Sequence, residues 1–322
     1  MSKSKISWCT WTWSPVTGCT KLSAGCRECW AKTLWDMRHK AYMEGKQVPK
    51  QYAVPFETVT LHHDRLRLPN WQAPQKVFVN SMSDLFHEDV PDEFILQIIN
   101  SMRAKMFAGD IFQVLTKRPE RMRNFLPRVR WNNDVPGNLR LADIEEDRSG
   151  YPLCGCRWHQ KPMPHIWWGT TCENQPMADL RVPKILQTPA SVRWISAEPL
   201  LGPIDFRKDI GGTLWIGGQR GHDGRHHGIG TPECPRHLHH HHDIRCNPGL
   251  DWIVVGCESG KNRRPCKIEW IEDIVAQCKQ SCVPVFVKQM EVNGKVTSDI
   301  NKFPAHLRIR EFPNTQLTIK ER

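Results

Sequence analysis

The sequence predicts an α/β protein: a complete or partial parallel (β/α) barrel, one domain over residues 1–322 with insertions at about 127–164 and 207–250. Three observations carry this. Short apolar runs alternate with helical segments along the chain, the pattern of parallel strands joined by crossover helices. The runs end in polar or charged residues, and in parallel α/β folds the C-terminal strand ends line the active site. Three cysteines, Cys19, Cys26 and Cys29, fall between the first strand and the first helix.

Taken in order, residues 6–16 alternate large and small side chains, which predicts a first strand with Trp11 and Trp13 on one face. Residues 27–44 place Trp30, Leu34, Met37 and Ala41 at helical spacing and predict an amphipathic helix with those four as its apolar stripe. Lys76–Asn80 is a short strand running into Ser81-Met-Ser-Asp84, and a helix is expected over about 92–107. Ile111–Leu115 ends in Thr116-Lys117-Arg118-Pro119, and His165–Gly169 ends in Thr170-Thr171-Cys172-Glu173-Asn174. Val192–Ile195 runs into Ser196-Ala197-Glu198-Pro199. Asp251–Val255 runs into Gly256-Cys257-Glu258-Ser259-Gly260, and Val283–Val287 into Lys288-Gln289. One such polar residue alone more often starts or caps a helix. Asp84, Lys117, Glu173, Glu198, Glu258 and Lys288 together, beside three thiols, describe a catalytic mouth.

The length of 322 residues and the 39% hydrophobic share suffice for a substantial core. No run approaches the roughly 20 apolar residues of a membrane span, and the first residues, Met-Ser-Lys-Ser-Lys-Ile-Ser-Trp, lack the apolar stretch of a secretory signal. A cytoplasmic protein with no membrane partner is expected. Thirteen cysteines in a reducing compartment argue for metal or redox chemistry before disulfides. The net charge of +11 favours a polyanionic partner such as nucleic acid, although the basic residues are scattered. Most of the fourteen tryptophans belong in the core, with a few available to stack on bases or on an adenine.

The three-cysteine loop has the spacing C-x6-C-x2-C, with Gly18 and Gly25 as its bends. Thiolates from one loop are an arrangement for metal. Three of them leave one iron of a [4Fe–4S] cluster open to a small molecule, whereas a distant fourth ligand, Cys9 being the nearest by sequence, would complete a zinc site. In the insertions, Cys154, Cys156, Cys234, His237 and Cys246 have the chemistry of a structural zinc site pinning two loops. The alternative is a solvated His-rich loop.

At this point the chain resembles the radical S-adenosylmethionine superfamily, and more closely a phage-encoded radical-SAM-like family of unassigned activity whose members often neighbour a three-Cys-motif partner protein. The segments that carry the likeness are Trp13-Ser-Pro-Val-Thr-Gly-Cys19, Gly25-Cys-Arg-Glu-Cys-Trp30, Phe78-Val-Asn-Ser-Met-Ser-Asp-Leu-Phe86, Leu115-Thr-Lys-Arg-Pro119, Ser196-Ala-Glu-Pro-Leu200, Gly256-Cys-Glu-Ser-Gly260 and Phe286-Val-Lys-Gln289. It departs from the common superfamily pattern in its longer first cysteine gap, in Glu28 where an aromatic often precedes the third cysteine, and in Ser81-Met-Ser-Asp84 where a glycine-rich turn is usual. The resemblance implies a barrel of the radical SAM type and an enzyme whose [4Fe–4S] cluster, held by Cys19, Cys26 and Cys29, reductively cleaves S-adenosylmethionine to a 5′-deoxyadenosyl radical. It implies Ser81 and Asp84 at the cofactor's ammonium group, Lys117 at its carboxylate, and Glu173, Asn174 and Glu198 at its ribose. Glu258 and Lys288 remain for the substrate side or for acid–base work. It also implies an electron donor. The basic charge and the aromatic residues point to a nucleic-acid base or nucleotide as substrate.

Two other functions compete. One is a zinc-stabilised nucleic-acid-binding protein without catalysis, its cleft at the barrel mouth. The other is an iron–sulfur protein that uses its cluster for electron transfer or structure and does not bind S-adenosylmethionine.

Overall fold

The structure, a computed structural model, describes residues 1–72, 74–105, 108–131, 139–141, 163–210, 213–219 and 249–314. Its centre is a nine-stranded sheet whose strands lie side by side in chain order. They are β1 Ser2–Lys3, β2 Trp11–Trp13, β3 Lys76–Val79, β4 Ile111–Thr116, β5 Ile166–Thr171, β6 Val192–Ala197, β7 Trp252–Gly256, β8 Val285–Val292 and β9 Lys295–Thr297. From β2 to β8 every neighbouring pair is parallel. The two edge strands, β1 and β9, are antiparallel additions. Among the described residues no pairing joins the two edges of the sheet.

The parallel strands are buried on both faces, as strands covered by crossover helices must be. On the convex face lie α2 Asp92–Arg103, α3 Pro119–Phe125, α4 Gln175–Leu186 and α5 Ile268–Gln280. Side chains such as Ile98, Val182 and Ile274 pack there against Val79, Val114, Ile195 and Val255 in one large core. The opposite face carries a smaller, aromatic core of Trp8, Phe78, Trp167, Trp194, Trp252 and Phe286. Its packing reveals the sheet's shape. The Trp8 ring lies 4.8 Å from Phe78 of β3 and 6.3 Å from Trp252 of β7. Four strand spacings separate β3 from β7, roughly 19 Å if the sheet were flat. One indole spans them because the sheet is strongly curved, with this face concave.

Strand periodicity then decides which residues reach the open end. Side chains two apart share a face. On the concave side Phe78 is followed by Asn80, Trp194 by Ser196 and Glu198, Val254 by Gly256 and Glu258, and Phe286 by Lys288. The polar strand ends thus continue the rows that begin as the aromatic plug.

Helix α1, Trp30–Met43, departs from the sequence expectation in both its start and its buried face. It turns Ala31 and Trp35 inward, against Tyr52 and Phe56, while Trp30 and Met37 stay exposed. The reason is Trp35, which is fully buried and whose indole N–H donates to the Val54 carbonyl at 2.9 Å. Packing this ring against Tyr52 and Phe56 with its N–H satisfied leaves the alternative stripe, one residue out of phase and headed by Trp30, on the outside. The first strand is also shorter than expected, since residues before Trp11 form the turn that carries Trp8 into the plug. Helix α2 ends at Arg103 rather than near 107.

The insertion at 127–164 opens with a hairpin, Val129–Trp131 with Leu139–Leu141, tied to α2 by the Leu139 N–H donating to Asn100 Oδ1 at 3.1 Å. The insertion at 207–250 opens with three short strands, Asp209–Ile210, Thr213–Leu214 and Gly218–Gln219. Cys154, Cys156, Cys234, His237 and Cys246 lie outside the described residues. No helix among the described residues is long and apolar enough to cross a membrane.

Candidate functional site

The concave face opens at the C-terminal strand ends into a cavity of about 200 Å³. Cys19, Cys26 and Cys29 all line it, together with Ser81, Asp84, Lys117, Glu198, Glu258 and Lys288. Of the residues singled out in the described sequence, Glu173 and Asn174 are not in the lining.

The cysteine loop is held from both ends. Gly18 sits at φ +90°, and a Cβ there would lie 2.1 Å from the Thr58 carbonyl oxygen, so only glycine lets the chain turn into Cys19. The Cys19 N–H then donates to the Phe56 carbonyl at 2.9 Å. A single 3-10 turn, Ala24–Cys26, leads to Cys29, which is the N-cap of α1. Between them the Gly25 N–H donates to Glu173 Oε1 at 3.0 Å. Glu173 is fully buried and its other oxygen accepts from Arg181 Nη1 at 2.9 Å. Burial alone would raise the Glu173 pKa; Arg181 and the Gly25 N–H outweigh it and hold the carboxyl below its ordinary value. Glu173 therefore fixes the loop from behind, outside the cavity lining. Asn174 caps α4, accepting the Met177 N–H at 3.1 Å.

Asp84 is engaged on both oxygens. Oδ1 accepts from Thr116 Oγ1 at 2.6 Å and from the Phe86 N–H at 3.0 Å; Oδ2 accepts from the Lys117 N–H at 2.9 Å and from Arg118 Nη1 at 3.3 Å. Arg118 continues to the loop, donating to Cys19 Sγ at 3.8 Å and to Thr20 Oγ1 at 3.0 Å. Glu198 pairs with Lys288 across the mouth. Glu258 accepts from the Arg264 backbone N–H at 2.8 Å and from its guanidinium, Nε at 2.9 Å. Burial opposes ionisation of Glu258, and Arg264 more than offsets it, so its pKa lies below the ordinary value.

The thiols differ. Burial, reinforced by Asp84, pushes Cys19 up to about 11 against the pull of Arg118. Burial also works to raise Cys26, but Lys117 and neighbouring loop groups prevail and its pKa falls below the ordinary value. Cys9 lies in the aromatic core, its thiol donating to Ser4 Oγ at 3.1 Å, and is not in the cavity lining. Among the described residues no group of three or more His, Cys, Asp or Glu is gathered as a single metal ion would need. The nine described cysteines carry free thiols.

Sequence reasoning missed the arginines. Arg118, Arg181 and Arg264 are the partners that hold Asp84, Glu173 and Glu258. Arg118 was within reach, adjacent to Lys117 in the same strand-end segment. It also missed Asn80, which is buried at φ +57°, lines the cavity and accepts the Val16 N–H at 3.2 Å.

No curated protein and no solved structure matches the chain. One family model, described as a protein of unknown function (DUF5131), matches residues 3–309, and the chain belongs to that family.

Proposed function

We propose that this is a radical S-adenosylmethionine enzyme, its curved parallel sheet a partial barrel of that type, acting on a nucleic-acid base or nucleotide. The observation that carries the reading is the convergence of three cysteines from one loop on the same cavity as the polar ends of the parallel strands.

The donor set fits a [4Fe–4S] cluster. Three thiols from one loop line one cavity, the donor number that leaves one iron of such a cluster without a protein ligand. When bound, the cluster would supply an electron to S-adenosylmethionine for hydrogen abstraction from an unactivated carbon. This chain's residues have distinct parts in that arrangement. Cys19, Cys26 and Cys29 would hold the irons. Arg118 donates toward Cys19 and Lys117 favours the thiolate of Cys26, the kind of surroundings that tune a cluster. Ser81 and Lys117 remain for the cofactor's polar groups, because the oxygens of Asp84 already hold four donors. Glu198 and Lys288 face the mouth as a pair. The Trp8 cluster closes the far end and excludes water from it. The reading carries with it a cytoplasmic setting, an electron donor and a three-Cys-motif partner protein.

The test is anaerobic reconstitution with iron and sulfide, followed by iron analysis and the EPR spectrum of the reduced protein with and without S-adenosylmethionine. About four irons per chain and a spectrum altered by S-adenosylmethionine are expected. Zinc at the three cysteines with no iron retained would overturn the reading. Zinc found beside a full iron complement would instead support the structural site at Cys154, Cys156, Cys234, His237 and Cys246.

A further inference from the structure

The cavity's charges are unevenly partnered. Each lining carboxylate has a cation: Glu28 has Arg27 at 3.5 Å, Asp84 has Arg118 at 3.3 Å, Glu198 has Lys288 and Glu258 has Arg264. Lys32 is shared by Asp36 at 3.1 Å and Glu57 at 2.7 Å. Lys21 and Lys117 alone among the lining cations have side-chain ammonium groups with no hydrogen bond or close ion pair among the described residues; the Lys117 backbone N–H donates to Asp84. Lys117 acts on Cys26. Lys21 is exposed on the cysteine loop; its charge acts on Glu57, whose close partner is Lys32 at 2.7 Å, and its own ammonium is left without a close ion pair at the rim.

The same rim holds an uncovered aromatic. Trp30 lines the cavity, is 47% exposed and makes no ring or cation contact among the described residues. It owes this position to the phase of α1, which buries Trp35 instead. Met37, two turns further along that exposed stripe, is 62% exposed and extends the apolar path away from the mouth.

We propose that the cavity takes one nucleotide of a single-stranded nucleic acid, with its base stacked on Trp30 and its phosphate drawn by Lys21. This rests on the reading of the cavity as the reaction site and names its substrate class. A flat ring and an ammonium without a close ion pair, both lining one cavity, are the combination that binds unpaired bases, because every base has a π-face and every linkage a negative charge. The net charge of +11 is spread over the chain with no dense run. A net charge of this sign suits a partner whose negative charge is spread along its length, as on a nucleic-acid strand.

The experiment uses the full chain and the fluorescence anisotropy of a labelled, mixed-sequence single strand of about 12 nucleotides, as DNA and as RNA, within the site sizes such grooves take. Trp30→Ala should weaken binding about tenfold, the loss of one base stack. Trp30→Phe should stay within about threefold of the wild type. Lys21→Ala should lower the slope of log affinity against log salt by about one. Unaltered binding by Trp30→Ala, an equal loss in Trp30→Phe, or no binding by the wild type would each overturn the proposal. A mononucleotide that displaces the strand at equal concentration would overturn the assignment to a strand. Iron content and the reduced-state EPR spectrum, measured on the same samples, separate the two claims. Iron absent with Trp30-dependent binding intact sinks the cluster reading alone. Iron present with Trp30→Ala binding like the wild type sinks this inference alone.

Discussion

The Glu173 carboxylate accepts the Gly25 backbone N–H at 3.0 Å, joining the end of β5 to the middle of the cysteine loop across 148 residues of chain. The approach is close: a Cβ on Gly25 would lie 3.1 Å from the Glu173 carboxyl carbon. The loop that presents three thiols therefore depends on a buried ion pair, Glu173 with Arg181, that never enters the cavity.

Glu173→Ala should cost about 3–5 kcal/mol, since it leaves Arg181 buried without its carboxylate. Glu173→Gln should cost less, because an acceptor for the Gly25 N–H remains. The pH dependence has a defined sign. The folded-state pKa of Glu173 is below its ordinary value of 4.5, so its stabilisation is complete above that value and is lost as pH falls through the folded-state value. Urea unfolding of wild type and Glu173→Gln between neutral pH and pH 3 checks this: the wild type should lose its advantage in the acid limb. Parallel curves at all pH values would contradict it.

Asp84→Asn should destabilise the fold by about 2 kcal/mol, because an amide N–H₂ must face one of the four donors now held by the carboxylate. The variant should also retain less iron after reconstitution, since Asp84 positions Arg118 against Cys19. Denaturation and iron analysis on one preparation test both parts. Full stability together with loss of iron would argue for a direct ligand role instead.

Gly169→Ala should destabilise the protein by about 3 kcal/mol, an overpacking cost. A Cβ on Gly169 would lie 2.4 Å from the Trp194 ring, inside the aromatic plug. Chemical denaturation reads this directly. A neutral result would mean that Trp194 does not lie over β5 as described.

Cys26→Ala should lower the reconstituted iron from about four per chain towards zero. The melting temperature of the metal-free protein should move by no more than about 2 °C, as for a partly exposed side chain outside the two main cores. Iron retained at the wild-type level would remove Cys26 from the cluster site.

Much of this arrangement was legible in the sequence. Apolar runs such as Ile111–Leu115 and Asp251–Val255 predicted parallel strands, and the cysteine loop was expected between the first strand and first helix. The strand-end residues Ser81, Asp84, Lys117, Glu198, Glu258 and Lys288 do meet in one cavity. The face of α1 was not legible, because two stripes one residue apart, Trp30 with Met37 and Ala31 with Trp35, both satisfy helical spacing. The edge strands β1 and β9 were missed because runs of two and three residues have too little period to read.

The sequence by itself determined the alternation of elements and the chemical kind of residue at each strand end, because both depend on local periodicity and side-chain type. Only the tertiary structure decided what each of those residues is free to do. Asp84, Glu173 and Glu258 are bound by Arg118, Arg181 and Arg264, and Asn174 caps a helix, whereas Lys21 and Trp30 stay exposed at the cavity and the half-buried Lys117 lines it with no side-chain partner among the described residues. Those partnerships are set by sheet curvature and by helix phase, quantities that arise when distant segments pack and that no local spacing encodes.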